Sequence, residues 1–137
     1  MRWNPYLTFD GRCEEAFRFY EKCLGGTITV LSRFGETPVG EHLPPDQRDR
    51  IMHARLVAGD QMLMGSDSHA GRPYEGIKGC SMALQVDSAE EAERVFHALS
   101  ENGAVLMPLQ QTFWAERFGM LTDRFGVPWL VNYEAAR

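Results

Sequence analysis

One pattern occurs twice in this chain, and that repetition limits the fold more than any other feature of the sequence. Phe9-Asp10 is followed by Glu14-Glu15-Ala16, then Phe19-Tyr20, then Gly25-Gly26. About 77 positions on, Val86-Asp87 is followed by Glu90-Glu91-Ala92, Val95-Phe96 and Gly103, with one slip in the turn before the second helix. A second echo relates Leu56–Met64 to Asp123–Val131, both reading as strand, Gly turn, strand. Two halves with the same order of elements call for two similar units, each strand, helix, then three strands.

The local signals agree with this division. In the first half, Asn4 to Phe9 reads as a strand. Cys13, Ala16, Phe17, Tyr20 and Leu24 then recur at the spacing of one helix face. Gly25-Gly26 ends that helix, because glycine accepts the left-handed conformation at a C-terminus. Thr27 to Arg33 is rich in β-branched residues and predicts a strand. Residues 35–49 carry three prolines among polar residues and read as a loop. Ile51 to Val57 and Gln61 to Gly65 form a hairpin around Gly59-Asp60.

In the second half, Met82 to Val86 predicts a strand, and Ser88 with Glu91 forms a capping box. Ala92, Val95, Phe96 and Leu99 give the buried face of the following helix, which Gly103 ends. Strands follow near Val105 to Leu109, Phe118 to Thr122 and Trp129 to Tyr133, and residues 66–79 link the halves. The expected organisation is α+β, one domain over 1–137 built of tandem βαβββ modules at about 1–68 and 77–137. No GxGxxG turn follows the first strand, so a dinucleotide-binding fold is excluded.

Composition narrows the function classes. The chain has 137 residues, 44% hydrophobic and 24% charged, enough to bury a core without disulfides or metal. Fourteen Lys and Arg against nineteen Asp and Glu give a net charge of −5, which argues against nucleic acid as a partner and suits a cationic ligand. No apolar run approaches the roughly 20 residues that cross a bilayer, and Met1 to Pro5 does not read as a secretory signal. Cys13, Cys23 and Cys80 are odd in number and lack CxxC spacing, as expected of reduced thiols in a cytoplasmic protein.

The chain resembles the vicinal oxygen chelate superfamily, which includes glyoxalase I, extradiol dioxygenases and bleomycin-resistance proteins, and within it the PhnB-like branch. The resemblance is carried by Asn4-Pro5-Tyr6-Leu7, Glu15-Ala16-Phe17 with Phe19-Tyr20, Asp49 to Ala54, Leu63-Met64-Gly65-Ser66-Asp67, and above all Thr112-Phe113-Trp114 through Phe118-Gly119-Met120 to Asp123–Trp129. It implies curved mixed sheets around a cavity, two units enclosing it within a chain or across a homodimer. In metal-dependent members a divalent cation sits there, held by His, Gln or Glu. The resemblance places the first-strand ligands at Asn4 and Ser81 and the last-strand carboxylates at Leu63 and Leu130. Leucine cannot coordinate a cation, and one-residue shifts to Pro5, Met62, Met64, Trp129 or Val131 do not help. No metal and no other cofactor is therefore expected. A methyltransferase label attached to some relatives finds no nucleotide-binding turn here.

The expected function is binding of a small organic molecule in an aromatic-lined cavity. Candidate ligand-binding residues are Tyr6, His53, Asp67, Gln110, Phe113, Trp114, Arg117 and Phe118. His53, placed by strand alternation on one face with Ile51 and Arg55, is the candidate general base because its pKa lies near working pH. The alternatives are a lyase, isomerase or dioxygenase using His53, Glu36 or Asp67 in acid–base roles, and a structural or partner-binding protein.

Overall fold

The computed structural model describes residues 1–69, 71 and 73–135, and the chain divides into two compact units, Met1–Gly76 and Ile77–Arg137. The first unit runs β1 (Tyr6–Phe9), α1 (Cys13–Leu24), β2 (Thr27–Arg33), a single-turn helix α2 (Pro45–Arg48), β3 (Ile51–Ala58) and β4 (Gln61–Asp67). Its sheet has the order β1-β4-β3-β2, with β1 parallel to β4 and the other pairs antiparallel. The second unit contains β5 (Met82–Gln85), α3 (Ala89–Ser100), β6 (Ala104–Gln110), β7 (Arg117–Thr122) and β8 (Pro128–Tyr133). Its sheet repeats the arrangement as β5-β8-β7-β6, again with one parallel pair. The α+β fold of two βαβββ modules follows.

Each helix lies on one face of its own sheet because its apolar stripe requires cover. Cys13, Ala16, Phe17, Tyr20 and Cys23 are the buried face of α1, with Cys23 where the periodicity placed Leu24. They meet Leu7, Phe9, Ile51, Ala54, Leu56 and Leu63 in the core of the first unit. Gly65 has to be glycine, since a Cβ there would lie 2.8 Å from the Phe17 ring and from the Leu7 carbonyl. In the second unit Ala92, Val95, Phe96 and Leu99 of α3 cover Leu121, Trp129 and Val131. There the small residue moves to β7. Gly119, opposite Val131, makes room for the Phe96 ring. Removing a ring such as Phe17 or Phe96 would cost about 3–5 kcal/mol.

Three differences from the sequence expectation have physical causes. The stretch expected as a loop contains 3-10 turns at Phe34–Glu36 and Pro38–His42 before α2. Pro38 and Pro45 start their turns, where proline's missing N–H costs nothing. The first strand begins at Tyr6, later than Asn4. Most consequential, β3 carries a bulge where Ser32 pairs with His53 but Arg33 pairs with Ile51. The extra residue breaks the alternation. Ile51 is buried under the helix with Ala54 and Leu56, whereas His53 and Arg55 lie on the opposite face, so His53 does not share a face with Ile51.

Candidate functional site

The face of each sheet turned away from its helix is open. In the first unit it presents Tyr6 and Thr8 from β1, Met62, Met64 and Ser66 from β4, His53 and Arg55 from β3, and Val30 and Ser32 from β2. One row of neighbours runs Tyr6, Met64, Arg55, Val30 across the four strands. None of these side chains is a carboxylate.

Tyr6 and His53 are brought together. Their rings stack with centroids 5.9 Å apart and an interplanar angle of 26°. Tyr6 is 49% exposed, which leaves ring surface for a further contact. The Nε–H of Arg55 donates to Nε2 of His53 at 2.8 Å. With Nε2 accepting, the ring proton of the neutral imidazole sits on Nδ1. Partial burial, and secondarily the charge of Arg55, hold the His53 pKa below its ordinary value of 6.5. A neutral imidazole could serve as a base, but its lone pair is already taken by Arg55, and a base needs that lone pair directed at substrate.

Asp67 stands apart from this group and does not fit a ligand-contacting or acid–base role. It is 3% exposed on the helix side of β4. Its Oδ1 accepts from the Cys13 N–H at 2.9 Å and its Oδ2 from the Ile51 N–H at 2.8 Å. Both oxygens therefore hold backbone. Glu36 is exposed in the 3-10 turn.

In the second unit, Phe113, Trp114 and Phe118 form a chain of edge-to-face contacts with centroid spacings of 4.8 and 5.2 Å. The Thr112–Glu116 segment is closed by Thr112 and Ala115, which exchange hydrogen bonds of 3.0 and 3.1 Å. With Gln111, Glu134 and Ala135 it surrounds a recess of about 250 Å³. Phe113 is 97% exposed, so its ring projects outward. Gln110 pairs in register with Phe118. Arg117 is engaged by Glu93 at 3.4 Å and by the Glu116 carbonyl at 2.8 Å, which leaves it little freedom to meet a ligand.

Sequence reasoning passed over two residues. Alternation already set Arg55 on the His53 face, but it was given no role, because nothing in the sequence shows that its Nε–H reaches the imidazole. Asn132 shares the open face of the second sheet with Phe118 and Gln85. Its Nδ2 donates to Gln85 Oε1 at 2.8 Å, while its buried Oδ1 has no donor among the described residues.

The same register tests the metal positions. Leu63 is buried on the helix side, so the open-face position is Met64, opposite both Tyr6 and Arg55. The second-unit counterpart, Leu130, does lie on the open face, between Ala83 and Met120. A thioether and an aliphatic chain replace the expected carboxylates, and the one nearby imidazole lone pair is occupied. Among the described residues, no three His, Cys, Asp or Glu side chains gather to hold an ion. The donor set does not fit a superfamily-type divalent cation. Among the described residues no helix is long and apolar enough to cross a membrane.

Comparison with known proteins agrees with this architecture. The family model described as Glyoxalase/Bleomycin resistance protein/Dioxygenase superfamily matches residues 2–131. Protein YjdN of Escherichia coli (strain K12) is 35% identical over 141 residues, covering 96% of this chain and 95% of that protein. The crystal structure of protein PA1353 from Pseudomonas aeruginosa matches with a TM-score of 0.91 and 56% identity, covering 99% of both chains. A PhnB protein from Bacillus cereus, described as a putative 3-demethylubiquinone-9 3-methyltransferase, matches with a TM-score of 0.81 and 28% identity over 97% of this chain and 99% of its own.

Proposed function

The chain belongs to the glyoxalase/bleomycin resistance protein/dioxygenase superfamily and is PhnB-like, and from that premise we propose that it binds a small organic molecule against the open face of a sheet without a divalent cation. The observation that carries this reading is the pair Met64 and Leu130. They stand where the superfamily pattern calls for carboxylates, with the stacked Tyr6–His53 pair beside the first. Apolar and aromatic surface with a few fixed polar groups is the usual lining of a small-molecule site. The homodimer expected from the resemblance belongs to the same reading, and a 15 kDa species in sedimentation at micromolar concentration would remove it.

Thermal shift against neutral, cationic and anionic single-ring aromatics tests the proposal. A ligand at a hundredfold excess over its Kd stabilises a protein by about 2.7 kcal/mol, a readily measured rise in Tm. The expected outcome is stabilisation by at least one charge class, unchanged by EDTA. No stabilisation by any class, or stabilisation that appears only with added Ni or Zn, would overturn it.

A further inference from the structure

We propose that the Arg55 guanidinium, oriented by His53, anchors the carboxylate or phosphonate head group of a planar organic acid whose ring lies against Tyr6. The inference rests on the small-molecule reading and names the ligand class. Its first ground is charge. Arg33, Arg50 and Arg117 are each paired with a carboxylate, as most arginines of a net-acidic protein are expected to be. Arg55 is exposed and has no carboxylate partner among the described residues; its Nε–H donates to a neutral ring nitrogen. The charge on this open face is thus the reverse of the net −5, and the cationic ligand expected from composition meets the wrong sign here.

The second ground is geometry. Because Nε is committed to His53, rotation of the guanidinium is restricted and both Nη groups remain available. Two parallel N–H donors match the two oxygens of a carboxylate or phosphonate. His53 keeps its Nδ1–H as a further donor, and its stacking on Tyr6 fixes the ring plane. Ser32, opposite His53, adds a hydroxyl to the same face. Tyr6 and Met64, neighbours in register, provide a flat and a polarizable apolar surface for the rest of the molecule.

Titration calorimetry with four ring compounds of similar size tests this assignment, using benzoate, phenylphosphonate, benzamide and benzylamine on the full chain. The two anions should bind at least tenfold tighter than benzamide, and benzylamine most weakly. Arg55→Gln should weaken the anions about tenfold to a hundredfold with benzamide unchanged, as expected for a charged hydrogen-bonded pair. Arg55→Lys, which keeps charge but loses the paired donors, should fall between. Both variants change an exposed side chain, and an unaltered Tm checks that they fold. Tighter binding of benzamide or benzylamine, or anion affinity indifferent to Arg55→Gln, would overturn the assignment while leaving the small-molecule reading standing. Binding of none of the four, together with no hit in the wider thermal screen, would remove both.

Discussion

The backbone N–H of Cys13, at the start of α1, donates to Oδ1 of Asp67 at 2.9 Å, across 54 residues of sequence. The first N–H groups of a helix have no partner within it and need a capping acceptor. Arg12 occupies the cap position of α1 and supplies no side-chain capping bond. In the second unit Ser88 takes that position, and its Oγ accepts from the Glu91 N–H at 3.0 Å. The Glu91 carboxylate reaches back to the Asp87 N–H, one residue before the cap. The same need is met locally in one repeat and from the last strand in the other.

Asp67 is therefore expected to act on stability. Asp67→Ala leaves the Cys13 and Ile51 N–H groups buried without acceptors, each costing about 1–3 kcal/mol, so a loss of about 3 kcal/mol is expected. Ser88→Ala, the corresponding loss of a local cap, should cost about 1 kcal/mol. Urea unfolding measures both, as a lower midpoint at unchanged slope. A loss below about 1 kcal/mol for Asp67→Ala would show that water or a neighbour replaces the carboxylate.

The His53–Arg55 contact makes a prediction in pH. The folded pKa of His53 lies below 6.5, first from burial and then from Arg55. As pH falls through 6.5 the unfolded chain takes up a proton that the fold still refuses, so the His53 contribution to stability is complete above 6.5 and declines below it. Arg55→Gln removes only the smaller cause. A proton NMR titration of the His53 ring should show its midpoint rising in that variant yet staying below 6.5. An unchanged or lowered midpoint would contradict the contact.

The cysteines differ in reactivity because the thiolate is the reacting species. Burial, then the charges of Asp67 and Glu14, pushes the Cys13 thiol up, and Cys23 is also buried. Cys80 is exposed in the segment before β5. Folded protein should titrate with one fast thiol against an aromatic disulfide reagent, and all three cysteines only in denaturant. A second fast thiol in the folded state would mean that α1 opens readily.

The architecture was legible because the repeat and helix periodicity report burial, and burial decides which elements form. Ala92, Val95, Phe96, Leu99 and the Ser88 cap could be read directly from spacing. What spacing does not encode is an extra residue within a strand. The β3 bulge turns Ile51 inward, so its placement on the His53 face failed, while Arg55 stays beside His53 as alternation placed it; only its hydrogen bond to the imidazole was not legible. The Leu56–Met64 echo with Asp123–Val131 failed by one residue. In register the counterpart of Leu130 is Met64, because the turn between Ala58 and Gln61 is shorter than that between Thr122 and Pro128, and Met64 and Leu130 are the open-face positions facing the parallel first strand of each sheet. Asp67 was misread because a carboxylate beside glycine and serine looks like a site residue, and only tertiary structure shows that Cys13 and Ile51 already occupy it.

The open-face register makes a last prediction, about metal. Carboxylate and imidazole donors create affinity for Zn, Ni, Fe and Mn, whereas a lone thioether suits softer ions and an aliphatic chain binds none. With Met64 and Leu130 at the two last-strand positions and the His53 lone pair held by Arg55, the protein lacks three strong donors in any one place among the described residues. A bound structural or catalytic ion would add its binding free energy to the fold. Dialysis against EDTA is therefore expected to leave Tm within about 1 °C of its starting value, since even 1 kcal/mol of lost stability shifts a domain of this size by several degrees. Elemental analysis of protein purified without chelator should find well under one metal per chain. Stoichiometric metal whose removal lowers Tm would mean that donors outside this register complete a site, and the metal-free reading of the protein would fall with it.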